Sequence, residues 1–462
     1  MHLFWHRRDL RIPDNRGLAA ATADDTTLPV VVLDHDMLDR LGRRQRAFII
    51  DGVRALKSRY QELGSDLLIK EGSPVKTLAA VAESYDADTV YYNHHYRPAR
   101  RHRQQQVDEQ LSTQCAIDLT LIDPAELQSS YPNHSQFHND WEVKPKPTPA
   151  TVTTDSLAAI DDTGDDTDDD TTIDAIETDI DRPPAGYAAA RDRYDAFLAD
   201  GIETYNDTRD DMRAAVERPV GAVSRLSPYL AAGMIGIREV WADATERYDA
   251  ADGAAVRNID KYRYELSWRE QNYHLLHYNP TLLTENYKSL PNRIAWENDP
   301  ADIAAWKAGK TGYPLIDAGM RQLNREGYIH NRPRQNVASF CTKHLLIDWR
   351  IGANHFAEQL FDHDPANNYA NWQWIASTGT DSVDVRIFDP VAQLSKYDAD
   401  ADYVTEYVPE LRGVDSDAIV EWPTLSAATR ERLAPEYPDP IVDRDNAYER
   451  AQRVFETALG KR

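Results

Sequence analysis

The chain has 462 residues, a formal net charge of −25 and 41% apolar residues. That apolar fraction supports a sizeable core and excludes a wholly disordered chain, and at about 150 residues per domain the length allows two or three domains. No apolar run reaches about 18 residues and no secretory h-region follows the N-terminus, so no membrane span or export is expected. The two cysteines, Cys115 and Cys341, exclude a disulfide scaffold and a cysteine-ligated metal site, with a reducing cytoplasm the expected location.

In chain order, the first 143 residues alternate short apolar runs with amphipathic stretches. HLFWH near residue 2, LPVVVLDHD near 30, DLLIKEG near 66, DTVYYNHHY near 88 and AIDLTLID near 116 predict buried strands. RQRAFIIDGVRALKSRYQELG and VKTLAAVAESY between them predict helices. Strands alternating with helices imply a doubly wound parallel α/β sheet. No GxGxxG follows the first strand, so the usual dinucleotide fingerprint is absent. Residues 144–186 are rich in Pro, Thr and Asp and read as an exposed acidic linker. From 187 to 462 the patterns are helical, and an all-α second domain is expected. The acidity reads first as a solvated surface suited to high salt, where Debye screening shortens to a few ångströms. It does not exclude a local basic groove.

The chemistry-bearing residues concentrate in the helical part. Eight of the ten tryptophans lie there, and any one of them taken alone reads as core packing. Trp372 and Trp374, beside Asn367 and Asn368, sit in a more polar setting that suits a cofactor pocket. In VSRLSPYLAAG, Ser224, Arg225 and Ser227 precede a helix with Pro228 in its first turn. Such a start can hold phosphate, although alone it is an ordinary cap. Glu265, Trp268 and Arg269 follow at i, i+3 and i+4 and share one helical face, a poor core stripe but suited to a flat, polar-edged ligand such as a base. Asn331, Arg332 and Arg334 cluster in HNRPR, and Arg334 is placed to pair with Asp362 or Asp364 of FDHD.

Together, FWHRRDLRIPDN, SRLSPYLAAG, ELSWRE, AWKAGKTGYPLIDAGMRQL, HNRPR, LLIDWR and DPANNYANWQWIASTGTD resemble the photolyase/cryptochrome family over nearly the whole chain. The tail APEYPDPIVD is similar to its microbial, haloarchaeal-like class I members, which act on cyclobutane pyrimidine dimers. The resemblance implies an N-terminal α/β antenna domain, a helical FAD-binding domain, and UV-damaged DNA as partner of a monomer. It implies that Tyr205, Ser224, Arg225, Leu226, Ser227, Arg269, Arg334, Asp362, His363, Asp364 and Asn368 hold FAD, with Asn368 beside the flavin favouring its fully reduced form. Trp372, Trp349 and Trp296 match the electron-transfer chain. Arg209, Glu265, Trp268, Arg269, Asn331, Arg332 and Trp374 match positions that bind DNA and the lesion, and Glu265 and Asn368 carry the catalytic roles.

The sequence also departs from the family pattern. TGTDSVDVRIFDP is one residue short and replaces a Pro and an aromatic pair by Ser382–Val385. Gln335 stands for a Met, Val223 for a Thr, Tyr328 for a Trp, and Gln271 and Asn272 for an aromatic pair. Ala99 and Arg100 occupy the place of the folate-binding Asn–Glu pair, which counts against a folate and leaves an 8-hydroxy-deazaflavin, a folate held in another way or no second antenna chromophore as the alternatives. Two functions follow: light-driven repair of cyclobutane dimers, or a cryptochrome-like photoreceptor with weak or no repair.

Overall fold

The computed structural model describes residues 1–159 and 180–461. Five parallel strands, β1 (His2–His6), β2 (Thr27–Leu33), β3 (Leu68–Glu71), β4 (Thr89–Asn93) and β5 (Thr113–Ala116), form one sheet in the order β3-β2-β1-β4-β5. The two-residue period of β1 assigns Leu3 and Trp5 to one face and Phe4 to the other. Leu3 and Trp5 join Val30, Leu68, Val90 and the helix residues Leu78, Val81 and Val107. Phe4 joins Val31, Ile69 and the helix residues Leu18, Phe48 and Val53. This second core continues through Tyr194, Phe197, Tyr229, Met234, Trp241 and Tyr262 of the helical part. The two parts are therefore fused through shared apolar packing rather than tethered.

Four predicted strands form where the apolar runs lie. The fifth differs: β5 ends at Ala116, and the rest of AIDLTLID is irregular although Leu119, Leu121 and Ile122 are buried. Its backbone donors are satisfied by a side chain rather than a ladder. Leu121 N and Ile122 N donate to the buried Glu270 carboxylate at 2.6 and 3.2 Å. Asp118 instead accepts from the buried guanidiniums of Arg11 and Arg238.

Residues 150–158 of the expected linker lie along the α/β domain instead of standing free. Ala150 N donates to Asp14 Oδ1 at 3.0 Å and Ala158 N to Thr27 O at 2.9 Å. Most of the acidic block between Asp155 and Asp181 falls outside the described residues. Beyond residue 187 the described chain is helical apart from an isolated Val220–Val223 bridge. Many Asp side chains here serve as helix caps, among them Asp299, Asp348, Asp364, Asp389 and Asp443. Each satisfies N–H groups that a helix start leaves without partners. No helix among the described residues is long and apolar enough to cross a membrane.

Candidate active site

A cavity of about 500 Å³ opens in the helical part. Its size falls within the ~300–1,000 Å³ of ordinary ligand sites. The long helix Gly253–Tyr278 supplies one wall. Lys261, Glu265, Trp268, Arg269 and Asn272 all line it, as one helical stripe requires. The stripe places Trp268 and Arg269 beside Glu265, as the spacing predicts.

The cavity also carries two buried carboxylates. Asp362 accepts from Ser227 Oγ at 2.7 Å and from Arg334 Nη2 at 3.0 Å. Of the two partners open to Arg334 in the sequence, Asp362 is therefore the one it takes. Asp364 instead accepts from Arg8 Nη2 at 3.0 Å and from the Tyr273 hydroxyl. Burial pushes the Asp364 carboxyl up, but Arg8, Tyr273, Arg269 and the Asn367 N–H outweigh it and hold the group at about 2. Asp364 also caps the helix Pro365–Ile375 through Asn367 N. Tyr205 lines the cavity edge-on to Tyr262 and Phe197.

The expected phosphate loop divides. Ser227 faces the cavity, whereas Leu226 is buried in the core and Ser224 Oγ accepts from Leu226 N at 3.4 Å. Arg225 has φ +47°, a left-handed conformation, and turns its guanidinium onto the Tyr328 ring at 4.3 Å and Glu326 at 3.2 Å. It thereby lines a neighbouring cavity, which Tyr328 shares with the main one. His363 and Asn368 also lie outside the main cavity lining. Asn368 is buried and its Nδ2 donates to Ala353 O at 2.9 Å. His363 is pushed down to about 4 by burial, against the pull of Asp364.

On the open side, Glu265 pairs with Arg209 and with Lys261 Nζ at 2.7 Å. Arg209, Asn331 and Trp374 line the same space. Arg269 keeps its Nη1 on Leu119 O at 2.8 Å. Arg332 sits just outside, gripped in bidentate fashion by Asp210 at 2.6 and 3.2 Å and bonded to Gln335 Oε1 at 2.8 Å. Four cations face three carboxylates within the cavity, so it is locally more basic than the chain as a whole.

Trp372 and Trp374 are two positions apart on one helix and point to different sides. Trp374 reaches the cavity, and Trp372 enters a cluster with Trp306, Phe356 and Trp349. Trp372 lies so close to Gly352 that a Cβ there would meet its Cη2 at 2.2 Å. Trp349 is fully buried and donates from Nε1 to Asn286 at 3.0 Å. Trp296, half-exposed, packs against the same cluster and lines a surface depression with Arg350.

The departures from the family pattern separate in space. Val223, Asn272, Tyr328 and Gln335 line the cavity, whereas Gln271 and the Ser382–Val385 loop do not. Arg8, Tyr273 and Lys261 were given no site role by the sequence. Arg8 belongs to FWHRRDL, where an arginine pair straight after a strand was the available signal.

A family model described as "DNA photolyase" matches residues 2–153, and one described as "FAD binding domain of DNA photolyase" matches 262–457. The chain is 42% identical to a deoxyribodipyrimidine photo-lyase of Halobacterium salinarum over 100% of both chains. It belongs to the photolyase/cryptochrome family. Among solved structures, a class III photolyase from Agrobacterium tumefaciens is 31% identical with a TM-score of 0.88, covering 100% of this chain and 98% of that one. An archaeal photolyase from Sulfolobus tokodaii, whose structure holds two FAD molecules, is 29% identical with a TM-score of 0.83 over 99% of each chain. The photolyase-type cavity has the donors that an FAD pyrophosphate and ring need. Within it the buried Arg334 Nε has no acceptor among the described residues, nor has Arg225 Nε in the neighbouring cavity, and Ser227 and Arg334 converge on one carboxylate.

Proposed function

We propose that this chain repairs cyclobutane pyrimidine dimers in DNA under near-UV or blue light. The observation that carries the reading is the shared cavity. Ser227, Arg334, Asp362 and Asp364, suited to FAD, line the same space as Glu265, Trp268, Asn331 and Trp374, suited to a flat, polar-edged lesion. Tyr205, Ser224, Arg225, Leu226, Arg269, His363 and Asn368 would complete the cofactor shell. Bound in its reduced form, FAD would supply a light-excited one-electron donor for dimer cleavage and an acceptor for the electron's return.

The protein's own residues do the rest. Trp268 and Trp374 offer aromatic faces for an extruded dimer, each worth ~1–3 kcal/mol by analogy with base stacking. Glu265, steadied by Arg209 and Lys261, accepts an N–H from a pyrimidine edge. Asn331, which lines the cavity, and Arg332, just outside it, would contact the lesion strand. Trp372 and Trp349 share one apolar cluster and the half-exposed Trp296 packs against it, which supports an electron route from the interior to the surface. A smaller cleft, lined by Trp5, Arg7, Met37, Arg100 and Arg103 at the C-terminal ends of β1 and β2, supports a second-chromophore site there.

The photoreceptor reading rests on the altered Ser382–Val385 loop, Gln335 and the acidity; the loop lies outside the cavity lining, whereas Gln335 is part of it. The test is loss of cyclobutane dimers from a UV-damaged oligonucleotide by the FAD-loaded, photoreduced protein at matched high salt, with a dark control. Loss in the light alone is expected. No loss with FAD bound and photoreducible overturns the reading in favour of a sensor.

A further inference from the structure

Trp268 has its second face covered. The His134 ring lies parallel to it, with centroids 3.6 Å apart and planes within 5°. His134 is buried and opens the helix His134–Glu142, which Asn133 caps through Gln136 N at 3.0 Å. The far end of that helix is tied to the same long helix, since Trp141 Nε1 donates to Glu270 at 3.1 Å. The stacked ring is thus held by an element anchored at both ends.

Proton counting settles how the imidazole is fixed. Ser267 Oγ donates its only proton to Tyr264 O at 2.7 Å. It must therefore accept from the two ring nitrogens near it, His134 Nε2 and His138 Nδ1, each at 3.0 Å. His134 then carries its proton on Nε2, and its bare Nδ1 accepts from the Tyr264 hydroxyl at 2.9 Å. Both ring nitrogens are used, so the ring cannot rotate without losing a hydrogen bond. Burial, with His138 and Lys261 nearby, pushes His134 down to about 3, against the opposing pull of Ser267, and the imidazole stays neutral under ordinary conditions.

We propose that His134 is a positioning residue for the lesion pocket: locked by Tyr264 and Ser267, it backs Trp268 and holds that ring as a rigid platform for the extruded dimer. The inference rests on the reading of Trp268 as a lesion-stacking residue. A mobile indole would have to be ordered at the moment of binding, and pre-ordering removes that cost. The effect belongs to damaged DNA alone, because undamaged DNA leaves no base in the pocket.

The test uses the FAD-loaded protein in the dark, with one oligonucleotide carrying a single cyclobutane dimer and an undamaged twin. His134→Ala is expected to weaken dimer binding about tenfold, a stacking-sized loss. Undamaged binding and the flavin spectrum in the dark, and the repair rate at saturating oligonucleotide in a parallel illuminated assay, stay unchanged, so the loss falls on KM. His134→Phe restores the stack and most of the affinity, which a merely structural role would not require. Tyr264→Phe and Ser267→Ala keep both rings but free the imidazole; they give a smaller loss and decide the matter if His134→Ala does not fold. Dimer binding by His134→Ala within twofold of wild type, while Trp268→Ala loses it, overturns the proposal. If Trp268→Ala also binds like wild type, the platform reading fails and the role of His134 with it.

Discussion

Arg8, two residues past β1, reaches across the domain boundary to put its Nη2 3.0 Å from Asp364 Oδ2. Both side chains are nearly fully buried. A buried pair is a weak source of net stability, but removing one partner strands the other charge at a cost of ~3–5 kcal/mol. Arg8→Met should therefore lower unfolding free energy by about 3 kcal/mol and reduce FAD retention. The double variant Arg8→Met/Asp364→Asn should be less destabilised than the two single effects summed. Denaturant titration of the four proteins closes the cycle, and additivity would mean that the two residues act separately.

Asp364 also sets an acid limit. Its carboxyl lies at about 2 in the folded protein, below its ordinary value of 3.8. The folded state therefore binds fewer protons than the unfolded state as the pH falls. The stabilisation is fully present above about pH 4 and is lost as the pH drops towards 2, a contribution of about 2 kcal/mol. Asp364→Asn should flatten this part of the stability–pH curve measured by denaturant midpoint. An unchanged acid slope would assign the loss to other carboxylates.

Much of the fold was legible because the physics was local. The alternation of β1 and the apolar runs of β2 to β4 identify a parallel sheet, and the stripe from Lys261 to Asn272 follows from helical spacing alone. The failures are long-range. AIDLTLID has the composition of a strand, yet Glu270, 149 residues away, takes its N–H groups. Residues 150–158 are polar enough to read as a tether, yet they meet Asp14 and Thr27. In the site, Arg334 and Asp362 were foreseeable as partners, whereas the pairing of Arg8 with Asp364 and the His134 stack need the assembled fold. Arg225 shows the opposite limit: its motif reads as a phosphate loop, while the backbone takes a positive φ and the side chain lies on Tyr328.

The aromatic route gives a sharper test. Trp372→Phe should keep FAD and leave repair by chemically reduced protein intact, while slowing photoreduction by at least about tenfold, since Phe cannot supply an electron as Trp does. Gly352→Ala forces Trp372 to move, because the new Cβ would overlap its ring. Overpacking of this kind costs ~1–3 kcal/mol, so reduced stability and altered photoreduction should appear together. Transient absorption with parallel thermal melts checks both. Normal photoreduction in Trp372→Phe would route the electron elsewhere.

Glu265 is held from two sides by Arg209 and Lys261. Glu265→Gln preserves shape but removes the charge that organises these cations. Repair per absorbed photon should fall several-fold, and dimer affinity should change less, because stacking on Trp268 and Trp374 remains. Repair yield and dark binding measured on the same preparation separate the two. A loss confined to affinity would make Glu265 a recognition residue alone.

Asp210 is expected to restrain DNA binding by holding a cation at the rim of the cavity. It holds the Arg332 guanidinium through two oxygens, and that arginine also lies over the Tyr397 ring at 4.2 Å. Asp210→Asn removes a negative charge from the rim of the cavity and frees Arg332 for a phosphate. Each added phosphate contact steepens the dependence of log K on log salt by about 0.9 for duplex DNA. The variant should bind damaged and undamaged duplexes more tightly at low salt by a similar factor, with the gain shrinking as salt rises. Titrations over a salt series measure the slope. If only damaged DNA gains affinity, Arg332 contacts the lesion rather than the backbone; an unchanged slope for both would leave the Asp210–Arg332 pair as a brace for the helix Asn331–Ser339.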